Sequence, residues 1–381
     1  MRAALEMLIS GGVAAKTSVI GLAAVCGVAS VVLAVCSLTG TAQAATPTAT
    51  ESEHTTAAAA KKALSKRAMP TPATITGKPV SGQIVAKEGQ VIENLHVTTT
   101  RGSCIVIKGV SHVTIRDSEI GPCGSPGDPS TQGVEIERAS HITIERNVIH
   151  DVSSGVYAAS SRHPIVMDRN YVYNVRGPRP RGQMIQMDGV TGGDSGSKVT
   201  CNVSDAMPGM RYGVLHGDTT DGVEDHISIY RSPGLEAERT EIAYNRLRGG
   251  HRFSKSGTGF NIGDLGGGNV SAHHNIVVNV ANVGAGISGG HNISIENNRI
   301  YQNRSDGIYV NLGLMVWAQA GATCTGGHTI RNNRVWTLNS RGEQNDFWNA
   351  GNCGDVTISG NVLADKTLTP AIFDEVPAAC Q

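Results

Sequence analysis

His141-Ile142-Thr143-Ile144-Glu145-Arg146-Asn147 reads as a short strand with alternating apolar residues, closed by a charged pair and an Asn. The same frame returns at 164–170, 198–202, 240–245, 270–275, 293–298, 329–333 and 356–361, each copy ending in Asn. The earliest copy, 113–118, ends in Ser118 instead. Asn147 to Asn170 is 23 residues and Asn275 to Asn298 is again 23, while the other gaps are wider, as loops inserted into a constant unit would make them. An internal repeat of this length fixes the architecture before any other signal does.

Each unit holds two or three short period-2 runs broken by Gly, with no helical periodicity. A coil of about 23 residues with three short strands, stacked on its own copy, is a parallel β-solenoid in which each coil pairs with its neighbours. The Asn suits a sharp bend because it tolerates the left-handed conformation, and its amide both donates and accepts, so stacked copies satisfy one another in a buried ladder. On these residues the chain resembles the right-handed parallel β-helix proteins of the pectate-lyase-like superfamily. The resemblance implies an all-β, right-handed parallel β-helix of about nine to ten coils over 75–364, with a C-terminal tail at 365–381. Such folds host many chemistries, so the repeat alone assigns no activity.

Composition agrees with a solenoid. The 381 residues include 47 Gly, are 4% aromatic and 39% hydrophobic, and carry a formal charge of +0, so no global field points to nucleic acid or an anionic membrane. Residues 1–44 read as a signal peptide: Arg2 and Lys16 precede an apolar run, and Ala42-Gln43-Ala44 supplies a small-residue cleavage pattern. The mature chain then has no membrane span unless that segment is retained as an anchor. The stretch 45–74 is an Ala/Thr/Lys/Pro-rich linker with room for a short capping helix. Six cysteines follow, an even number that reads as disulfides in an exported chain, secreted or in the periplasm or cell envelope. Cys104 with Cys123 and Cys324 with Cys353 are each about one coil apart, leaving Cys201 with Cys380 by elimination. Zinc is the rival reading, but no Cys-x-x-C is present.

A second strand precedes the ladder strand in each coil: 105–108, 134–137, 156–159, 185–188, 227–230, 260–263, 285–288 and 308–311, with a looser copy near Trp348. Alternation points Glu135, Glu137, Tyr157, Gln186, Asp188, Ser228, Tyr230, Asn261 and Tyr309 outward, with His226 just before its run. Equivalent positions stack about 4.8 Å apart, giving a strip of carboxylates, amides and phenols suited to an extended polysaccharide. Beside it, the insertion 203–222 carries His216 and leads into Glu224-Asp225-His226, and 248–256 adds Arg248. The expected binding residues are Glu135, Tyr157, Gln186, Ser228, Asn261, Tyr309 and Arg248.

Proton abstraction next to a uronate carboxylate needs a base, a proton donor and a cation. His226, Tyr230 or His216 supplies the first two and Arg231, Arg248 or Lys255 the third, with Asp188 and Asp225 also among the catalytic candidates, so lyase or epimerase chemistry on a uronic-acid polymer is the leading expectation. Asp225-His226 is similar to the Asp-Pro-His element of β-helix mannuronan epimerases, without the Pro. A non-catalytic module that binds a glycan or a partner at the cell surface is the alternative. An inverting glycoside hydrolase is another, since Asp188 and Asp264 lie two coils apart. Asp188 with the loop carboxylates also suits a calcium ion, and no other cofactor is implied.

Overall fold

The computed structural model describes residues 75–178, 180–206, 222–250, 256–304, 308–319 and 321–381. The expected leader and linker, most of the central insertion with His216, and 251–255 lie outside the described residues. From Lys78 to Ser359 the chain winds as a parallel β-helix. Each coil contributes a front strand such as Val134–Glu137, a ladder strand such as Ile142–Glu145 and a rear strand such as Val148–Val152. Every named strand pairs in parallel with its counterpart one coil away, and the rear strands form a ten-stranded sheet from Lys78–Ser81 to Arg334–Leu338. Alternation decides the core: Ile136, Ile144 and Ile149 point inward and are fully buried, as are their equivalents in the coils between the two ends, whereas Ile358 on the last ladder strand is exposed. Each such side chain contributes on the order of 1.5–3 kcal/mol by leaving water.

The Asn residues build the corner between ladder and rear strands. Asn170 Oδ1 accepts both the backbone N–H of Asn147 (2.9 Å) and its side-chain Nδ2 (3.0 Å). Asn147 Nδ2 also donates to Ile115 O of the preceding coil at 3.0 Å. The pattern repeats through Asn202, Asn245, Asn275, Asn298 and Asn333 to Asn361, and Ser118 N–H starts it by donating to Asn147. The left-handed residue, however, is the one before each Asn. Arg146 (φ 54), Arg169 (φ 53), Cys201 (φ 57), Tyr244 (φ 60) and His274 (φ 55) make the turn, so the amide is left free for the ladder. Such a conformation costs about 1–2 kcal/mol for a residue with a Cβ, which the ladder bonds offset.

A second inward column lines the corner just before the front strands. Cys104, Gly133, Gly155, Met184, His226, Gly259, Gly284 and Gly313 each precede the first core residue of their strand. A Cβ on Gly155 would lie 3.2 Å from Val172 Cγ1 and 2.4 Å from Met184 O, and one on Gly259 would lie 2.9 Å from Val277 Cγ1. Small residues therefore let this corner pack on the rear strands.

All three expected disulfides form, Cys104–Cys123, Cys201–Cys380 and Cys324–Cys353. After the last ladder strand the tail runs back over the rear strands, burying Ile372 and Phe373 against Val203, Ile276 and Val278 before it reaches Cys201. Arg248 belongs to this seam. Its guanidinium binds Asp205 (Nε–Oδ1 3.0 Å, Nη2–Oδ2 2.5 Å) and lies 3.9 Å from the Phe373 ring centre. It is a rear-strand residue and no part of the front strip, because Arg246–Gly249 follows the ladder corner.

Candidate functional site

His226 is the largest departure from the alternation argument. It occupies the inner corner column, is 0% exposed, and points into the core. Gly249 O can only accept, so Nε2 carries the proton and donates to it at 2.8 Å. Nδ1 then accepts from Ser204 Oγ–H at 2.7 Å. Burial, the main cause, depresses its pKa to about 4. The imidazole is a neutral structural plug, with no face toward a substrate.

The outward positions of the neighbouring coils do form one register. Glu135 stands beside Tyr157, Tyr157 beside Gln186, Gln186 beside Ser228 and Ser228 beside Asn261. Gln186, Ser228 and Asn261 are buried and make a floor, with Asn261 Oδ1 accepting from Ser288 Oγ at 2.6 Å. Glu135, half-buried, accepts from Ser103 Oγ at 2.8 Å. The second column runs Asp188, Tyr230, Asp264. Asp264 joins it only because the pairing slips at Gly263 (φ 80), which places Asp264 opposite Tyr230. Two coils separate Asp188 from Asp264, so their backbones stand roughly 10 Å apart.

Asp188 is held on both oxygens. Tyr157 OH donates to Oδ2 at 3.0 Å, and Arg231 Nη2 donates to Oδ1 at 2.5 Å. Arg231 also lies 4.8 Å from the Tyr230 ring centre. Arg181 stacks 3.7 Å over Tyr157 and donates to Gln186 Oε1 at 3.2 Å. Burial raises the Tyr157 phenol above its ordinary range; Arg181 opposes the shift and Asp188 adds to it. Asp225, half-buried at the mouth of the front strand, accepts from Thr258 Oγ1 at 2.9 Å. Burial first, then the neighbouring Glu224 and Asp264 carboxylates, pushes its pKa up to about 8. At neutral pH Asp225 is therefore an acid that holds its proton.

Tyr309 is not on a front strand. The strand of that coil is Leu312–Val316, with Gly313 in the corner column and Leu314 in the core, so Met315 takes the outward place assigned to Tyr309. The Gly-before-core spacing shared by Gly259, Gly284 and Gly313 is the signal that would have set this register. The strip ends on two residues that alternation alone did not single out, Trp317 and Trp348, which are 36% and 46% exposed.

Among the described residues, one group of three His, Cys or carboxylate donors comes within ligand range: Cys324, His328 and Cys353. The two sulfurs are joined to each other, and His328 Nδ1 accepts the Ile293 N–H at 3.3 Å, so its Nε2, 3.3 Å from Cys324 Sγ, carries a proton. Those states do not fit a metal ion. The calcium ion considered for Asp188 has no such donor group there among the described residues.

Residues 81–214 match the family model for a right-handed β-helix region. No curated protein matches the sequence. Among solved structures, the chain is similar to the Dettilon tailspike protein at 16% identity and TM-score 0.41, covering 74% of this chain and 60% of that one. It is similar to the catalytic domain of an α-1,3-glucanase at 15% identity and TM-score 0.44, covering 76% of this chain and 56% of that one. It is also similar to the A-module of an Azotobacter vinelandii mannuronan C-5 epimerase at 14% identity and TM-score 0.40, covering 75% and 84%. The chain thus spans 60% and 56% of the first two, and the likeness to all three concerns the fold alone. The matched family region, the in-register parallel strands and the continuous Asn ladder together make this chain a right-handed parallel β-helix protein.

Proposed function

We propose that the chain is an exported enzyme that binds an extended, uncharged polysaccharide along its front strands and hydrolyses it with inversion. The column Asp188–Tyr230–Asp264 carries this reading. Backbones roughly 10 Å apart leave the two carboxyl groups near the separation of about 6.5–9.5 Å that admits a water beside the scissile bond. Asp188, oriented by Tyr157 and Arg231, takes the proton of the attacking water. Asp264 protonates the departing glycosidic oxygen and takes up its next proton from solvent, while the proton gained by Asp188 returns to solvent.

Two observations move the reading away from uronic-acid elimination or epimerisation. His226, the expected base, is in the core. The guanidiniums of Arg181 and Arg231 are already engaged with Tyr157, Gln186, Asp188 and Tyr230. A uronate carboxylate would have to displace these contacts to be neutralised by either. Export rests on the leader-like 1–44 and the three disulfides, which persist in an oxidising compartment. No helix among the described residues is long and apolar enough to cross a membrane.

The test is a panel of neutral and uronic-acid glycans, read for new reducing ends and for unsaturated-product absorbance. Hydrolysis should appear on a neutral glycan. Asp188→Asn and Asp264→Asn should each lose at least about 100-fold in kcat. Asp225→Asn should lose less than either, because Asp225 stands opposite Thr258, away from the Asp188–Tyr230–Asp264 column. Unsaturated product from a uronate polymer would overturn the hydrolytic reading, and binding without any product would leave a glycan-binding module.

A further inference from the structure

Beyond the carboxylates the front face changes character. The Asp188–Tyr230–Asp264 column continues through Ser288 to Trp317, one place past the paired Ile287 and Val316. The neighbouring column continues from Asn261 through Gly286 and Met315 to Trp348. Gly286 and Ser288 keep the floor low between Asp264 and the indoles, and a Cβ at Gly286 would already lie 3.0 Å from Met315 Cε. The two indole centres are 6.3 Å apart, tilted by 46°, and both rings are open to solvent. None of Gly286, Ser288, Met315, Trp317, Trp348 and Asn349 bears a charge.

We infer that Trp317 and Trp348 form an aromatic platform that seats a sugar ring of the same uncharged glycan, two to three coils from Asp264. The inference rests on the proposed polysaccharide reading and gives the bound chain a direction along the helix axis. A flat pyranose offers an apolar C–H face with hydroxyls around its rim. Two exposed indoles meet that face, burying apolar area at little entropic expense, while the rim stays wet. An anionic sugar would gain nothing from an uncharged floor. A protein partner would need a larger apolar patch than two rings over glycine and serine.

The chain has three tryptophans, and the third, Trp336, stacks on Tyr301 over the rear strands, 5.0 Å between ring centres. Intrinsic fluorescence of the oxidised full chain, titrated with neutral gluco-, xylo- and manno-oligosaccharides of increasing length, therefore reports on the platform. A saturable change is expected with oligosaccharides long enough to span from Asp264 to the indoles. Trp348→Ala and Trp317→Ala should each weaken that binding at least about 10-fold, and Trp336→Phe should leave it unchanged. In turnover assays the platform variants should raise KM for long chains and leave the shortest hydrolysed oligosaccharide unaffected.

Binding that needs both tryptophans, with no hydrolysis by the parent, would sustain the platform and sink the hydrolytic reading. Hydrolysis whose KM ignores both substitutions at every chain length would do the reverse. If Trp348→Ala instead turns a sedimenting dimer into a monomer without altering any glycan titration, the platform is a contact between copies and the inference fails. Tighter binding of a uronic-acid oligosaccharide than of the neutral ones would also overturn it.

Discussion

The two corners that flank the front and ladder strands solve the same problem with different chemistry. At the ladder corner each inner Asn accepts two N–H groups from the coil before and donates to the coil after, so between Asn147 and Asn361 every ladder partner is another Asn, and only at the start does Ser118 stand in. At the front corner no bond links one coil's residue to the next coil's equivalent, and Gly, Cys, Met and one His, the last bonded to Ser204 and Gly249, all fill it. Mutual hydrogen bonding repeats one letter and is visible in the sequence. Space-filling tolerates several letters and is not.

Breaking the ladder should have the larger effect. Asn298→Leu removes the acceptor for Asn275 N–H and Nδ2 and the donor to Ala272 O and Asn333 Oδ1. Each buried group left unsatisfied costs about 1–3 kcal/mol, so a severe loss of thermal stability is expected in calorimetry. An unchanged melting temperature would mean that the ladder is not what holds this corner.

His226 tests the other corner. With His226→Ala, the Ser204 hydroxyl and Gly249 carbonyl lose their partner, and a loss of about 1–3 kcal/mol for each is expected at neutral pH. Between pH 4 and 6.5 the unfolded imidazole binds a proton that the folded one refuses, so the parent loses stability as pH falls through this window. The variant should show a shallower acid loss, with His328, also near 4, supplying what remains. Melts at pH 7 and pH 5 decide it. A variant that melts like the parent yet has lost turnover would return His226 to the active site.

The smallest effect sharpens the ladder corner itself. His274→Gly relieves a left-handed residue (φ 55) on the exposed side of the turn. The relief of about 1–2 kcal/mol is partly cancelled by glycine's greater freedom when unfolded. A rise in melting temperature corresponding to less than about 1 kcal/mol is expected, and a fall would show that stacking on Tyr244 matters more than backbone relief.

The same contrast explains how far the sequence could be read. Coil length, the Asn corner and the core alternation follow from repeated letters, and two of the disulfide pairs from their one-coil spacing, with Cys201–Cys380 left by elimination. The site was half legible, since Tyr157, Gln186, Asp188, Ser228, Tyr230 and Asn261 stand in register on the outward face. His226 was misplaced because period-2 alternation fails at a corner, where the backbone turns and two successive residues face inward. Tyr309 was misplaced because the loop before Leu312–Val316 shifts the strand by several residues. Asp264 entered the column through a one-residue slip that no periodic rule predicts.

The tail bound to Cys201 also sets how the molecule answers force. Cys201 and Cys380 lie 179 residues apart and close a loop around the later coils. Tension applied at the two ends passes through that sulfur link and bypasses everything between. Only the coils before Cys201 can be drawn out, less the segment closed by Cys104–Cys123. In the oxidised chain Asp188 lies in the part that can be stripped away, whereas Asp225, Asp264 and both platform tryptophans lie in the part that cannot. Reduction would put the whole front face under load.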